Sequence, residues 1–307
     1  MGGVSVFPVC FPRTACVTHS IPMLKTRILT ALLLLIVFLC ALLYLPAPAW
    51  ALVCAALVGI GAWEWGQFAR LTSRGARAAF VAVCVVLALL ATFAPLERLG
   101  GWIPSGAANG AYVLALLALN LLLWLVCIPL ILRRRAPLPQ GVTLAVGIIV
   151  LVPTAIALAF LRNIDWKLLL ACMAIAWVAD TAAFFAGRRF GKVKLAPSVS
   201  PGKTREGALG ALLAVVLYGL LVAAAFQERL ALTPAGWLLL VALLVVLTVF
   251  SILGDLLESW FKRQVGLKDS GTLLPGHGGL LDRIDSLTAI LPPTTILMWL
   301  VVWLAQD

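Results

Sequence analysis

Long apolar runs separated by short charged loops set the plan of this chain. The runs lie at about 26–45, 47–67, 77–95, 110–132, 141–161, 167–187, 207–226, 236–257 and 287–304. Each is close to the roughly 17–25 residues a helix needs to cross the hydrocarbon core of a bilayer. Lipid offers the backbone no hydrogen bonds, so runs of this length satisfy it internally as helices. The pattern predicts an all-α polytopic integral membrane protein with about nine transmembrane helices.

The loops between the runs alternate in charge. One set holds Arg13, Lys25 and Arg27, then Arg70, Arg74 and Arg77, then Arg133, Arg134 and Arg135. It continues with the cations of 188–206 and of 258–286. The other set holds Arg98, Arg162, Lys167 and Arg229, so the division is nineteen against four. Cytoplasmic loops are the cation-rich ones. The N-terminus and the loops 188–206 and 258–286 are therefore expected in the cytoplasm and the C-terminus outside.

Three regions follow: an extension at 1–22, scaffold helices at 23–165, and at 166–307 the helices that carry the two charged loops. Residues 1–22 show no pattern, and Met23-Leu24-Lys25-Thr26-Arg27 opens the first run as a starting segment would. Translation from Met23 is the expectation. Ala47-Pro48-Ala49 imitates a signal-peptidase site, but the run before it exceeds the 7–15 residues of a typical signal core, so it is read as an uncleaved span. Glu64, between Trp63 and Trp65 near the end of the second run, reads as part of an interfacial anchor.

Composition agrees with the pattern. Hydrophobic residues make up 63% and the mean hydropathy is +1.11, against about 45–50% apolar in soluble domains. The net charge of +11 sits in short loops, where orientation and anionic headgroups account for it, and nucleic acid is not an expected partner. The seven cysteines have no metal-ligand spacing, and five lie inside apolar runs, where Cys behaves as a small hydrophobe.

Against this background, Asp255–Ser286 stands out. In a chain that is 11% charged, it gathers Asp255, Glu258, Lys262, Arg263, Lys268, Asp269, His277, Asp282, Arg283 and Asp285. At 3.6 residues per turn, Asp255, Glu258, Ser259 and Lys262 share one helix face, and Asp282, Asp285 and Ser286 repeat the arrangement after a glycine-rich loop. Hard oxygen ligands suit Mg²⁺, which keeps waters and takes substrate phosphates beside one or two carboxylates. The interleaved Lys and Arg would then face those phosphates. His277 is read as a phosphate contact or loop-ordering group, because no second His or Cys is spaced to help it hold a metal.

A second charged loop follows the sixth run. Asp180 lies inside the apolar stretch, where an acid is costly and a functional candidate by default. Downstream, Ser198-Val199-Ser200-Pro201-Gly202-Lys203-Thr204-Arg205-Glu206-Gly207 leads into the next run. Its Gly-Lys-Thr is no P-loop, because Pro197 stands where the first glycine is required and no strand is expected before it. What it offers is hydroxyls, backbone amides and cations at a helix N-terminus, which favours anions.

The window closing on Asp285 resembles the signature of the phosphatidate cytidylyltransferases, also called CDP-diacylglycerol synthases. The matching positions are Ser259, Lys262, Arg263, Lys268, Asp269, Gly271, Pro275, His277, Gly278, Gly279, Asp282, Arg283 and Asp285, and the Ser-Pro-x-Lys-Thr-x-Glu-Gly run at 200–207 matches as well. Asp180 also has its counterpart, although Phe184 stands where an aromatic hydroxyl is commoner. The resemblance covers roughly residues 23–307, with specific motifs only in 180–207 and 255–286.

The resemblance implies transfer of CMP from CTP to phosphatidate, giving CDP-diacylglycerol and pyrophosphate, in a bacterial-type cytoplasmic (inner) membrane with the site facing the cytoplasm. With it, Asp255 and Asp282 are read as the principal Mg²⁺ ligands and Asp285 and Asp180 as additional candidates, and whether a second, monovalent cation joins Mg²⁺ stays open. Lys203, Lys262, Arg263, Lys268 and Arg283 become phosphate contacts, with Asp269 and His277 in the same site. Ser200, Lys203, Thr204, Glu206 and Arg263 fall on the nucleotide side. CTP, phosphatidate and membrane lipids are the expected partners, and the oligomeric state stays open, a homodimer included. Competing readings are a CTP-dependent enzyme acting on another lipid, such as an isoprenoid phosphate cytidylyltransferase or a lipid kinase, and an ion-coupled transporter. A transporter should carry acids at several span midplanes, whereas Asp180 is the clear intruder here.

Overall fold

The apolar runs appear as helices in the computed structural model, which describes residues 20–93, 107–134, 136–273 and 278–304. In chain order they are α1 (Ser20–Tyr44), α2 (Ala47–Phe68), α3 (Arg74–Thr92) and α4 (Ala107–Leu122). A π turn at Leu123–Cys127 joins α4 to α5 (Ile128–Arg133). Then come α6 (Gln140–Ile164), α7 (Trp166–Phe190), α8 (Arg205–Ala225), the short α9 (Gln227–Leu230), α10 (Pro234–Gln264) and α11 (Leu281–Leu304). Among the described residues, seven helices are long and apolar enough to cross a membrane. The first and last expected spans correspond to α1 and α11. Residues 1–19 of the expected extension lie outside the described residues.

Local chemistry marks the helix starts. Ser73, Asp165, Thr204 and Thr233 each stand in extended backbone and accept a hydrogen bond from an amide of the first turn, at 3.0, 2.8, 3.1 and 3.2 Å. Each satisfies one of the donors that a helix start leaves unpaired.

Helix α6 is the axle. It is apolar all round, as expected of a helix enclosed by others, and Val150–Leu161 is buried without interruption. Trp50 and Trp65 of α2 lie against it, and their indole N–H groups donate to the carbonyls of Leu158 and Thr143 at 3.1 and 2.9 Å. Both of these buried indoles thus have their donor satisfied. Helix α8 is peripheral: Leu209, Leu213, Leu217 and Leu221, one per turn, are all more than half exposed and form a stripe suited to lipid.

The loop segments gather at two ends of the bundle, following the charge alternation in the sequence. At one end, Arg70 donates to Gln264, Gln140 to Ala69, and the Trp260 indole to Arg134. The turns after α2, α5 and α10 therefore touch. At the other end, Arg162 donates to the carbonyls of Leu42 and Leu45, joining the turn after α6 to the one after α1.

The structure departs from the all-α expectation in the loop after α7. Residues 194–204 form an antiparallel hairpin, β1 (Lys194–Ala196) and β2 (Ser200–Thr204), with Lys194 opposite Thr204 and Ala196 opposite Ser200. A segment rich in Pro, Gly and Lys carries no strand alternation, so its pairing comes from its anchors. Arg205 N–H donates to the Val193 carbonyl at 2.9 Å, and Glu206 accepts from Val193 N–H at 3.2 Å.

Candidate active site

Helix α10 runs unbroken through Gln264, one to two turns past its apolar stretch. Asp255, Glu258, Ser259 and Lys262 therefore stand on one helical face as their spacing predicts. Ser259 Oγ donates to Asp255 Oδ1 at 3.3 Å, and Lys262 Nζ to Glu258 Oε2 at 2.9 Å. The first turn of α11 meets this face at Gly254. A Cβ there would lie 2.6 Å from the Asp285 carbonyl, so only glycine lets the two backbones approach this closely.

That approach draws the second carboxylate set onto the first. Lys262 Nζ reaches Asp282 Oδ1 at 2.6 Å, so one ammonium joins Glu258 on α10 to Asp282 on α11. The other oxygen of Asp282 accepts from the amides of Ser270 and Gly279, both at 2.9 Å, and from the Ser270 hydroxyl at 3.1 Å. From the hairpin, Lys203 Nζ lies 2.5 Å from Asp255 Oδ2.

Between α7, α8, α10, α11 and the hairpin opens a cavity of about 650 Å³. Asp180, Asp255, Glu258, Lys262, Asp269, Asp282, Arg283 and Asp285 line it, with Ser200, Lys203 and Thr204 from the hairpin. Asp180, Asp255 and Asp285 share this cavity and repel one another, and Lys203 and Arg283 offset part of that charge. Such a site holds excess negative charge that a cation relieves, and its donors are the hard oxygens that Mg²⁺ selects. Among the described residues, no three of these side chains converge in ligand geometry. The donors are of the kind Mg²⁺ takes, while Lys203 and Lys262 already pair with three of the carboxylates, Asp255, Glu258 and Asp282.

Other predicted residues sit at the margin. Glu206 holds the Val193 amide, and Thr204 caps α8 through its hydroxyl. Arg263 is exposed and donates to the carbonyls of Val199 and Leu267, at 3.5 and 3.4 Å, between the hairpin and the loop. Lys268 is exposed and does not line the cavity. His277 and Pro275 lie outside the described residues. Phe184 lines the cavity mouth and packs edge-on against Phe185.

The expected interfacial anchor at 63–65 is corrected. Trp63 is exposed as an anchor would be, but Glu64 is 3% exposed and its carboxylate is bound within the protein by the loop that leads into α11. A Trp-Glu-Trp triplet near a span end looks interfacial in sequence, and nothing in the linear order shows that the loop folds back over it. Glu258 is a second acid that outgrew its sequence reading. Its place on the Asp255 face was legible, but its near-complete burial was not.

The chain matches the sequence profile of the cytidylyltransferase family over residues 25–301. It is 40% identical over 295 residues to the phosphatidate cytidylyltransferase of Pseudomonas aeruginosa, spanning 92% of this chain and 99% of that protein. The phosphatidate cytidylyltransferase of Haemophilus influenzae is 35% identical over 289 residues, 88% of this chain and 96% of its own. A Brucella suis protein of the same name is 48% identical over a shorter stretch of 139 residues.

Proposed function

The chain belongs to the cytidylyltransferase family, and on that premise we propose that it transfers CMP from CTP to phosphatidate, releasing pyrophosphate and leaving CDP-diacylglycerol in the membrane. The observation that carries the reading is the cavity at one end of an apolar bundle, where Lys203, Lys262 and Arg283 stand among carboxylates from three helices. A lipid phosphate and a nucleotide triphosphate can meet there only if their negative charge is neutralised.

An oxygen of the phosphatidate phosphate attacks the α-phosphorus of CTP, and the bond from that phosphorus to the β-bridging oxygen breaks, with the electron pair leaving on pyrophosphate. A phosphate monoester has a second pKa near 6, so the nucleophile is largely ionised at neutral pH and needs little general-base help. The work left to the protein is positioning and charge stabilisation. Lys203, on a hairpin whose backbone opens at Gly202, reaches the nucleotide phosphates. Lys262 and Arg283 hold the region where charge builds on the leaving group. Asp255, Asp285 and Asp180, with Asp282 where its present bonds yield, would hold Mg²⁺. Mg²⁺, when bound, supplies neutralisation of the phosphate oxygens.

The same reading places the cation-rich end in the cytoplasm, in a bundle of nine spans in a bacterial-type inner membrane. The clustering of the cation-rich turns at one end supports this orientation. The test is purified protein given labelled CTP and phosphatidate, with and without Mg²⁺, followed by lipid and pyrophosphate analysis. Labelled CDP-diacylglycerol and one pyrophosphate per product are expected. A labelled phosphorylated lipid without CMP would instead indicate a kinase.

A further inference from the structure

Glu64 belongs to α2, in the half of the chain that carries none of the signature residues. Its carboxylate is nevertheless bound to the signature loop by three hydrogen bonds: Oε1 accepts from Leu280 N–H at 2.9 Å, and Oε2 accepts from Leu281 N–H at 2.9 Å and from the Ser270 hydroxyl at 3.0 Å. One turn further along α2, Gln67 donates to the Ser270 carbonyl at 3.1 Å. The amides that Glu64 takes are those that the start of α11 leaves unpaired, where a negative charge is also favoured by the helix dipole. Gly279 leaves room for this: a Cβ there would lie 2.5 Å from Glu64 Oε2.

The contact continues into the site. The Ser270 hydroxyl that meets Glu64 also meets Asp282 Oδ2, whose partner oxygen holds Lys262. A hydroxyl has one proton, so Ser270 can donate to one carboxylate at a time, and the two acids are coupled through it.

Resting on the transfer reaction proposed above, we infer that Glu64 is a positioning residue for it. Its carboxylate fixes Ser270 and the start of α11, and through them sets Asp282 and the Lys262 ammonium in the cavity. It touches no substrate. A residue that merely anchored α2 at the interface would be solvated, and one that merely packed α2 would not spend its carboxylate on this loop.

The test uses the full-length protein in detergent, wild type beside Glu64→Gln, Ser270→Ala and the double variant. Glutamine fills the same volume but turns one acceptor into a donor facing N–H groups. Glu64→Gln is expected to lower kcat by about 10- to 100-fold, the equivalent of one lost hydrogen bond to a charged group, with both KM values within about threefold of wild type. The double variant should be little worse than the poorer single, because the two residues act through one contact. Amide hydrogen exchange at 270 and 279–282 should quicken in Glu64→Gln while α6 stays as protected as in wild type. Wild-type kcat in Glu64→Gln, losses that multiply in the double variant, or unchanged exchange at 270 and 279–282 would each overturn the inference. If Glu64→Gln does not fold, Ser270→Ala carries the test, and wild-type kcat and exchange in that variant overturn it. If the wild type itself makes no CDP-diacylglycerol, the activity reading fails, and the exchange arm still decides whether Glu64 fixes Asp282.

Discussion

Lys262 donates to Glu258 and Asp282 from a position where all three side chains are mostly buried, at 13, 6 and 8% exposure. Breaking a buried pair by removing one partner costs about 3–5 kcal/mol, because the other charge is left uncompensated. Lys262→Met is therefore expected to lower the melting temperature of the detergent-purified protein as well as its turnover. Adding Glu258→Gln should recover part of the stability and none of the activity. A Lys262→Met melting curve that overlays wild type would show that the ammonium is not needed to hold the acids together. The two aspartates separate in a similar way. Asp255 is less enclosed and accepts from Ser259 and Lys203, whereas both oxygens of Asp282 are committed to Lys262, Ser270 and Gly279. Asp255→Asn should abolish turnover across a Mg²⁺ series with little change in melting, while Asp282→Asn should lower both. Substantial turnover in Asp255→Asn would remove it from the proposed metal site. The shared face of Asp255, Glu258 and Lys262 was legible from helical spacing. The grip of Ser270 on Asp282 was not, because a glycine-rich loop has no period from which to read its turns.

At the scale of elements, the hairpin and the α10–α11 junction shape the cavity. The hairpin was read as a loop because Pro197, Pro201 and Gly202 suppress every strand signal. Its ends are pinned by Arg205, Glu206 and the Thr204 cap instead. The Lys203 side chain is no part of these anchors and pairs with Asp255 instead, so Lys203→Ala is expected to remove a charge and leave the hairpin in place. Loss of one charge-assisted phosphate contact costs about 1.5–3 kcal/mol, and the loss is expected in the KM for CTP more than in that for phosphatidate. Weaker phosphatidate use at unchanged CTP affinity would move Lys203 to the lipid side. At the junction, Gly254→Val places atoms against the Asp285 carbonyl and the Ser286 Cα, 2.6 and 3.0 Å from the new Cβ. Overpacking of this kind costs about 1–3 kcal/mol. Because backbone must move to relieve it, kcat should fall with the melting temperature. An unchanged kcat would mean that the spacing of the two helices has slack.

At the scale of the whole molecule, the apolar runs told the order and placing of the helices well. They told less of which helix is central, since α6 and α8 are similarly apolar in sequence and differ in what surrounds them. The most informative signal was the alternation of loop charge, because the turns it assigns to one side are those that touch at one end of the bundle. Arg162, assigned to the other side, binds the turn after α1 at the far end. An accessibility experiment follows from this division. In a background with the native cysteines replaced, Gly202→Cys at the hairpin and Leu232→Cys in the turn before α10 each place one thiol at opposite ends. In intact cells, a membrane-impermeant maleimide should label Leu232→Cys and leave Gly202→Cys unlabelled until the membrane is opened. Gly202 has open space around its Cα, so poor labelling after permeabilisation would not be steric. CTP added to opened membranes should then slow labelling at position 202, beside Lys203, and leave position 232 unaffected. Labelling of Gly202→Cys from outside would invert the orientation and put the cavity on the side of the membrane away from the nucleotide pool.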